Sequence, residues 1–365
     1  MCRRSSMDER SRFRACLLGG AVGDALGGAV EFMSLEAIRC RFGPGGIRDY
    51  ATAYGREGAI TDDTQMTLFT AEGLIRSLVR ERNKGITSFS SVTAAAYQRW
   101  LLTQGDSNHA GLDPLDPEPG WLYTVKELHS QRAPGLTCLS ALRNARELGE
   151  PATNDSKGCG GVMRVAPVGL FVDTVQDSFK LGCELAALTH GHPTGWLASG
   201  AFAAMITALR QGVSLPAAIS VALECLAQQP AHQETTAALR LAIELSAVDG
   251  DPHAAISRLG EGWIAEEALA IAVYCALVAP NFEEGVVMAV NHSGDSDSTG
   301  AIAGNLLGLV GGEQCLSQKW LDGLELRDVI TELADDLLDC RQWRIGPGAQ
   351  NEDFDKRVWE RYPGY

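Results

Sequence analysis

The chain has 365 residues, of which 45% are hydrophobic and 21% charged, and a formal net charge of −15. That composition is ordinary for a globular protein, while the acidic excess argues against nonspecific binding to nucleic acid or to anionic membranes. The length allows two domains or one large one.

The opening "MCRRSSMDERSRFR" is charged and lacks the apolar core of a signal peptide. Residues 1–12, with a second Met at position 7, read as a flexible extension ahead of a domain over 13–365. "GGAVGDALGGAVEFM" (19–33) follows, rich in small residues that let helices approach closely. Taken alone it is a packing surface, with Asp24 orienting a neighbouring loop and Glu31 exposed. In "GAITDDTQMTLFTAEGLI" (58–75), Thr61, Asp62, Asp63 and Thr64 stand at the start of an amphipathic helix. The apolar face of that helix carries Leu68, Ala71, Leu74, Ile75, Leu78 and Val79.

The segment 102–123 is rich in Pro, Asp and Gly and reads as a linker or as a lid over a site. "RAPGLTCLSALR" (132–143) restarts a helix with Thr137 as its N-cap. "NDSKGCGGVMRVAPVGL" (154–170) brings Gly158, Gly160 and Gly161 to the start of an apolar run. It is neither a Walker loop nor GxGxxG, but such a turn can offer backbone N–H groups to a phosphate. Helical spacing recurs over 177–190, 197–209 and 262–279, and alternating β-branched runs are nearly absent, so the expected fold is all-α. The run 197–209 is too short to span a bilayer. The ten cysteines are scattered without a CxxC pair, as expected of reduced thiols in a cytoplasmic protein.

The last motif, "NHSGDSDSTGAIAGN" (291–305), places Asp295 and Asp297 at the mouth of another apolar helix. It resembles the start of an EF-hand, but the twelfth position, where a bidentate Glu is needed, is Leu306. Either acidic cluster alone is satisfied as a helix cap with favourable first-turn charge. Two of the same type are better explained together. If they converge, four carboxylates raise one another's pKa unless cations neutralise them. Two divalent ions about 3.5–4 Å apart would balance the charge. Convergence would also favour one compact domain over two independent ones.

The segments "GGAVGDALGGAVEF", "ITDDTQMT", "SKGCGGVMRVAPVG", "LTHGHP", "GWIAEEALAIA" and "NHSGDSDSTGAIAGNLLG" together resemble the ADP-ribosylglycohydrolase family, in family order across roughly 15–312. The resemblance implies a single orthogonally packed all-α domain with a binuclear Mg²⁺ or Mn²⁺ centre. By motif, the ligands it implies are Thr61, Asp62, Asp63, Asp295, Asp297 and Ser298, the last standing where Thr is common. Ser156, Gly158, Cys159 and Gly160 would hold a pyrophosphate, Cys159 through its backbone because many relatives have Asn there. His190 matches a position that contacts ADP-ribose. Glu31 matches a glutamate catalytic in some branches, and its role as acid/base or substrate clamp stays open. Asp62, Asp295 and Asp297 join it as the catalytic set through their metals. Lys157 and Arg164 could add positive charge near the pyrophosphate, Arg164 equally as an ion-pair partner. His192, Glu266 and Glu267 read as structural, and Trp263 as either core or adenine neighbour.

The implied substrate is an ADP-ribosylated protein, first of all ADP-ribosyl-arginine, cleaved at the anomeric carbon of the distal ribose. Two other readings use the same residues. One is a nucleotide phosphoesterase. The other is a binding or immunity protein that blocks an ADP-ribosyltransferase toxin or sequesters its product, with the charged N-terminal extension as the contact.

Overall fold

Runs of apolar residues at helical spacing become helices throughout the computed structural model, which describes residues 6–106 and 118–364. The chain opens with α1 (Ser6–Gly27), α2 (Leu35–Phe42), α3 (Asp62–Lys84) and α4 (Phe89–Thr103). Its middle is built of α5 (Leu136–Asn144), α6 (Ala166–Phe171), α7 (Val175–Ala187), α8 (Pro193–Arg210) and α9 (Leu215–Ala227). There follow α10 (Gln233–Ser246), α11 (Pro252–Leu259), α12 (Ala265–Val278), α13 (Phe282–Val290) and α14 (Ser296–Gly311). It ends with α15 (Gln318–Gly323), α16 (Arg327–Asp339) and α17 (Glu352–Arg361). Among the described residues no strand forms, only isolated bridges pairing Ala53 with Arg56 and Gly158 with Ile264. The fold is all-α around one continuous core, as the composition of the runs predicts.

The most apolar helices are the central ones. Every residue of α8 from Leu197 to Leu209 is buried, and so is α12 from Ala268 to Ala276. A helix that is apolar all round has no face for water and must be wrapped by others. No helix among the described residues is long and apolar enough to cross a membrane.

Two local expectations are corrected. From Ser6 the N-terminal segment is already helical, and Arg10 and Arg14 reach Asp335 on α16 while Arg12 donates to the Leu309 carbonyl. Residues 1–5 of the expected extension lie outside the described residues, as does the 107–117 part of the expected linker or lid. Thr137 is not an N-cap. Gly135 holds that place, and Thr137 lies inside α5 with its hydroxyl 3.1 Å from Ser156 Oγ.

Helices α1 and α14 run antiparallel with their backbones in contact. A Cβ on Gly23 would stand 2.0 Å from the Gly300 carbonyl oxygen, and one on Gly304 would stand 2.0 Å from that of Gly19. The same four-residue step pairs Ala15 with Gly308 and Gly27 with Ser296. Small residues along one stripe of each helix are therefore a steric requirement, and the contact brings the C-terminal end of α1 to the N-terminal end of α14. Alanine is favoured over glycine within a helix by about 1 kcal/mol, but a collision with backbone cannot be relieved by a side-chain rotation. Gly23→Ala is expected to destabilise the protein by about 1–3 kcal/mol in thermal or denaturant unfolding. Gly45→Ala, whose Cβ would meet only Arg48 Cδ at 3.9 Å, is expected to leave stability nearly unchanged.

Candidate functional site

The first turn of α3 is fixed from three sides. Thr61 caps the helix, its hydroxyl accepting from the Asp63 N–H at 3.3 Å. The Asp24 carboxylate, on α1 and fully buried, accepts from the backbone N–H of Thr61 at 3.0 Å and of Thr64 at 3.1 Å, and from the Thr64 hydroxyl. Asp24 thus orients the neighbouring loop, as the sequence suggests. From the other side the Arg132 carbonyl accepts the Asp62 N–H at 3.0 Å, and Asp62 Oδ2 accepts from the Gly135 N–H at 3.2 Å.

The first turn of α14 faces it. Asp295 caps that helix, Oδ1 accepting from the Ser298 N–H at 3.3 Å, while Asp297 Oδ1 accepts the same N–H at 3.0 Å. The capping interpretation therefore holds for Thr61 and Asp295, and the remaining carboxylates are left for other work. Glu31, beyond the end of α1, is not exposed: only 7% of its surface is accessible. One oxygen from each of Glu31, Asp295 and Asp297 lies within 4.8 Å of the other two, a set that could hold a metal ion.

Electrostatics ties the starts of α3 and α14 together. Burial pushes the carboxyls of Asp62, Asp63 and Asp295 well above the usual range, and the charge of Asp297 is the next cause for each. The same two causes, in the same order, raise Glu31 and lift Asp24 to about 7. Asp297 is therefore the common neighbour of acids from α1, α3 and α14. Asp63 Oδ1 and Glu31 Oε2 are buried without a hydrogen-bond partner. Orphaned carboxylate oxygens within a cluster of acids fit hard divalent cations, which take oxygen donors.

The glycine-rich loop closes the third side. The Cys159 N–H donates to the Trp263 carbonyl at 3.2 Å and the Ala265 N–H to the Lys157 carbonyl at 2.8 Å, so the loop is stitched to the start of α12. The Gly158 N–H donates to Ser156 Oγ at 3.3 Å. The N–H groups of Gly158 and Cys159 are thus engaged within the loop and with the start of α12. The Cys159 thiol instead donates to Asp295 Oδ2 at 2.7 Å. His190 is buried against Gly158 and Gly160 and bonded through Nδ1 to the Thr189 hydroxyl at 2.8 Å. Burial, then Arg164, holds its pKa down at about 3, so its ring is neutral.

Among the other candidates, Lys157 is paired with Glu266 at 2.6 Å and Glu234 at 2.8 Å. Arg164 makes no ion pair among the described residues. It lies over the Tyr97 ring and donates to the Thr189 hydroxyl at 2.7 Å and the Leu185 carbonyl at 3.1 Å. His192 caps α8, and the Glu267 carboxylate accepts from the N–H groups of Glu261 and Gly262, both structural as expected. Trp263 is neither core nor isolated: it stacks on exposed Phe32, the residue after Glu31, with ring centroids 5.9 Å apart. Sequence reasoning missed Arg132 and Glu325. They form a buried two-point ion pair at 3.1 and 3.3 Å, and Glu325 Oε2 also accepts the Ile60 N–H. Neither lies in a local pattern, because both act on the backbone of a distant segment.

The chain matches the family model for ADP-ribosylglycohydrolases over residues 5–346. It is 30% identical to an uncharacterized protein of Archaeoglobus fulgidus, over 88% of this chain and 94% of that one. It is 26% identical to the ADP-ribosyl-dinitrogen reductase glycohydrolase of Rhodospirillum rubrum, over 87% and 91% of the two chains. Identity to the ADP-ribosylhydrolase ARH3 of Mus musculus is 25%, over 88% and 90%. A solved structure described as an "ADP-ribosylglycohydrolase-related protein complex" shares the fold, with a TM-score of 0.60 at 24% identity over 92% of this chain and 99% of that one. The matched span contains every carboxylate of the site, and on that match this protein belongs to the ADP-ribosylglycohydrolase family.

Proposed function

We propose that the protein is a metal-dependent hydrolase that releases ADP-ribose from modified protein side chains, with ADP-ribosyl-arginine as its first substrate class. The observation that carries this reading is the meeting of Glu31, Asp295 and Asp297 with the acids at the start of α3 in one buried cluster. Thr61, Asp62, Asp63, Asp295, Asp297 and Ser298 would hold two Mg²⁺ or Mn²⁺ ions. Bound there, the ions would supply Lewis acidity, which makes water a competent nucleophile near neutral pH.

The chain's own residues would do the rest. A glycosidic bond breaks through an oxocarbenium-like state, and a dense group of carboxylates stabilises positive charge at the anomeric carbon. Those carboxylates also favour a cationic guanidinium over a neutral hydroxyl as the linked group. In the metal-free protein burial, then the charges of Asp297 and Asp295, raise the pKa of Glu31; beside the metals it would serve as acid/base toward the departing side chain or as a clamp on the substrate. The Ser156–Gly160 loop and neutral His190 would line the pyrophosphate end, with contacts other than the engaged Gly158 and Cys159 N–H groups. Exposed Phe32, the residue after Glu31, and Trp263, stacked on it, would offer an aromatic surface to the adenine.

Two rival readings use the same residues. A phosphoesterase would use the same carboxylates and is told apart by its product, AMP. A role in binding a transferase toxin would draw on the charged N-terminal residues. Arg10 and Arg14, however, are spent on Asp335, Asp339 and Glu313 within the fold.

Three outcomes test the proposal. Offered arginine-, serine- and nucleic-acid-linked ADP-ribose with Mg²⁺ or Mn²⁺, the protein is expected to release free ADP-ribose, fastest from arginine; AMP as the product would refute it. Asp62→Ala and Asp295→Ala are each expected to slow that release by about a hundredfold or more and to weaken metal binding in calorimetry. The third outcome concerns pH. In the metal-free protein the folded-state pKa of Asp24 lies at about 7, and those of Asp62, Asp63 and Asp295 are also raised. Their stabilising protonation is complete below the ordinary carboxyl range and is lost as pH rises through the folded values. The melting temperature without metal is therefore expected to fall between about pH 4 and pH 7. Saturating Mg²⁺ or Mn²⁺ should raise it most at the upper end, because the ions displace the protons. A flat pH dependence with no metal effect would count against the centre.

A further inference from the structure

We infer that Thr189, held by Arg164, is a positioning residue: it fixes His190 as the tautomer protonated on Nε2, so that the ring offers a donor to a phosphate oxygen of the ligand. The inference rests on the reading above that ADP-ribose lies against the Ser156–Gly160 loop. It turns on one hydroxyl. Arg164 is fully buried, and a guanidinium has donors only. It lies 4.4 Å from the centroid of the Tyr97 ring, and Nη2 donates to the Leu185 carbonyl at 3.1 Å. The same nitrogen donates to Thr189 Oγ1 at 2.7 Å, so that oxygen is an acceptor toward Arg164.

The hydroxyl still has its own proton to place. Two acceptors are within reach, His190 Nδ1 at 2.8 Å and the Ala186 carbonyl at 3.4 Å. The Ala186 carbonyl already accepts the backbone N–H groups of Thr189 at 3.1 Å and His190 at 3.0 Å. Both its lone pairs are in use, and 3.4 Å is long for an O–H···O bond. The proton therefore goes to His190 Nδ1. The guanidinium behind the hydroxyl favours the same direction, because it strengthens the hydroxyl as a donor and repels the positive end of a ring N–H. With Nδ1 accepting, the neutral ring carries its proton on Nε2. That nitrogen has no hydrogen-bond partner among the described residues, although His190 is only 1% exposed. It faces the loop, since a Cβ on Gly158 or on Gly160 would stand 3.4 Å from it. An ionised phosphate oxygen only accepts, so the opposite tautomer would set lone pair against lone pair.

The experiment uses the full chain labelled with ¹⁵N at histidine, followed by long-range ¹H–¹⁵N correlation spectroscopy without metal or ligand. The signal missing from His190→Gln identifies the residue. The native pattern is expected to show a pyridine-like Nδ1 and a pyrrole-like Nε2. Thr189→Ser, which keeps the hydroxyl, should keep that pattern. Thr189→Val, close in shape but without the hydroxyl, should give a mixture of both tautomers. In calorimetry with Mg²⁺ or Mn²⁺ present, free ADP-ribose should bind Thr189→Val about tenfold more weakly than the native protein and Thr189→Ser within about twofold. A pyridine-like Nε2 in the native protein overturns the inference, whether or not Thr189→Val folds. So does a native pattern that persists in that variant. Unchanged affinity in a variant whose tautomers have mixed overturns the donor role. If the native protein shows the expected tautomer but binds no ADP-ribose, the reading of the loop as a ligand site falls while the lock by Thr189 stands.

Discussion

The structure depends on one close approach, the backbone contact between α1 and α14. Gly19, Gly23, Gly300 and Gly304 have no side chains because carbonyl oxygens of the opposing helix occupy that space. Main chain against main chain leaves little freedom in the separation of the two axes. Everything acidic is hung from this pair: Asp24 and Glu31 from α1 and its continuation, Asp295 and Asp297 from the start of α14. The first turn of α3 is then drawn in by Asp24, which grips two of its backbone N–H groups.

Such a cluster is a cost that the rest of the fold must offset. Burial and mutual repulsion both oppose ionisation of these carboxyls, and the hydrogen bonds that the helix N-termini and neighbouring side chains provide offset them only in part. The arrangement nevertheless holds the acids rigidly. Thr61 and Asp295 act as caps, so each acidic segment gains helix stability from a residue of the site itself. Arg132 and Glu325 brace the outside of the 60–62 segment through an ion pair and backbone contacts. A buried pair of that kind adds little net stability, but it fixes where α3 begins.

Much of this is legible from the chain, for identifiable reasons. Helix starts announce themselves through local chemistry, so Thr61, Asp62, Asp63, Asp295 and Asp297 can be found from short spacing alone. The glycines of 19–33 signal close packing in the same local way. What stays hidden is set by distant partners. Glu31 follows an apolar run and looks exposed until the fold covers it. Nothing around Arg132 marks it as a brace, since its partner is Glu325 and its target the backbone of Ile60 and Asp62. The glycine-rich loop reads as a free row of N–H donors, and only the strand-like pairing with Trp263–Ala265 reveals that part of the row is in use. Thr137 yields the cap position to Gly135 because α5 begins earlier than the hydroxyl suggests.

A seam that repeats every fourth residue has an ambiguity of its own. Sliding α14 along α1 by four residues, about 6 Å, would again set small residues opposite small residues, and the steric fit alone would scarcely notice. Asn305 removes the ambiguity. Its amide fills the space left by Gly20 and donates to the Cys16 carbonyl at 2.8 Å, a fit available at a single register. One polar side chain in the middle of an apolar interface thereby acts as an index pin, keeping Asp295 and Asp297 level with the acids they must face.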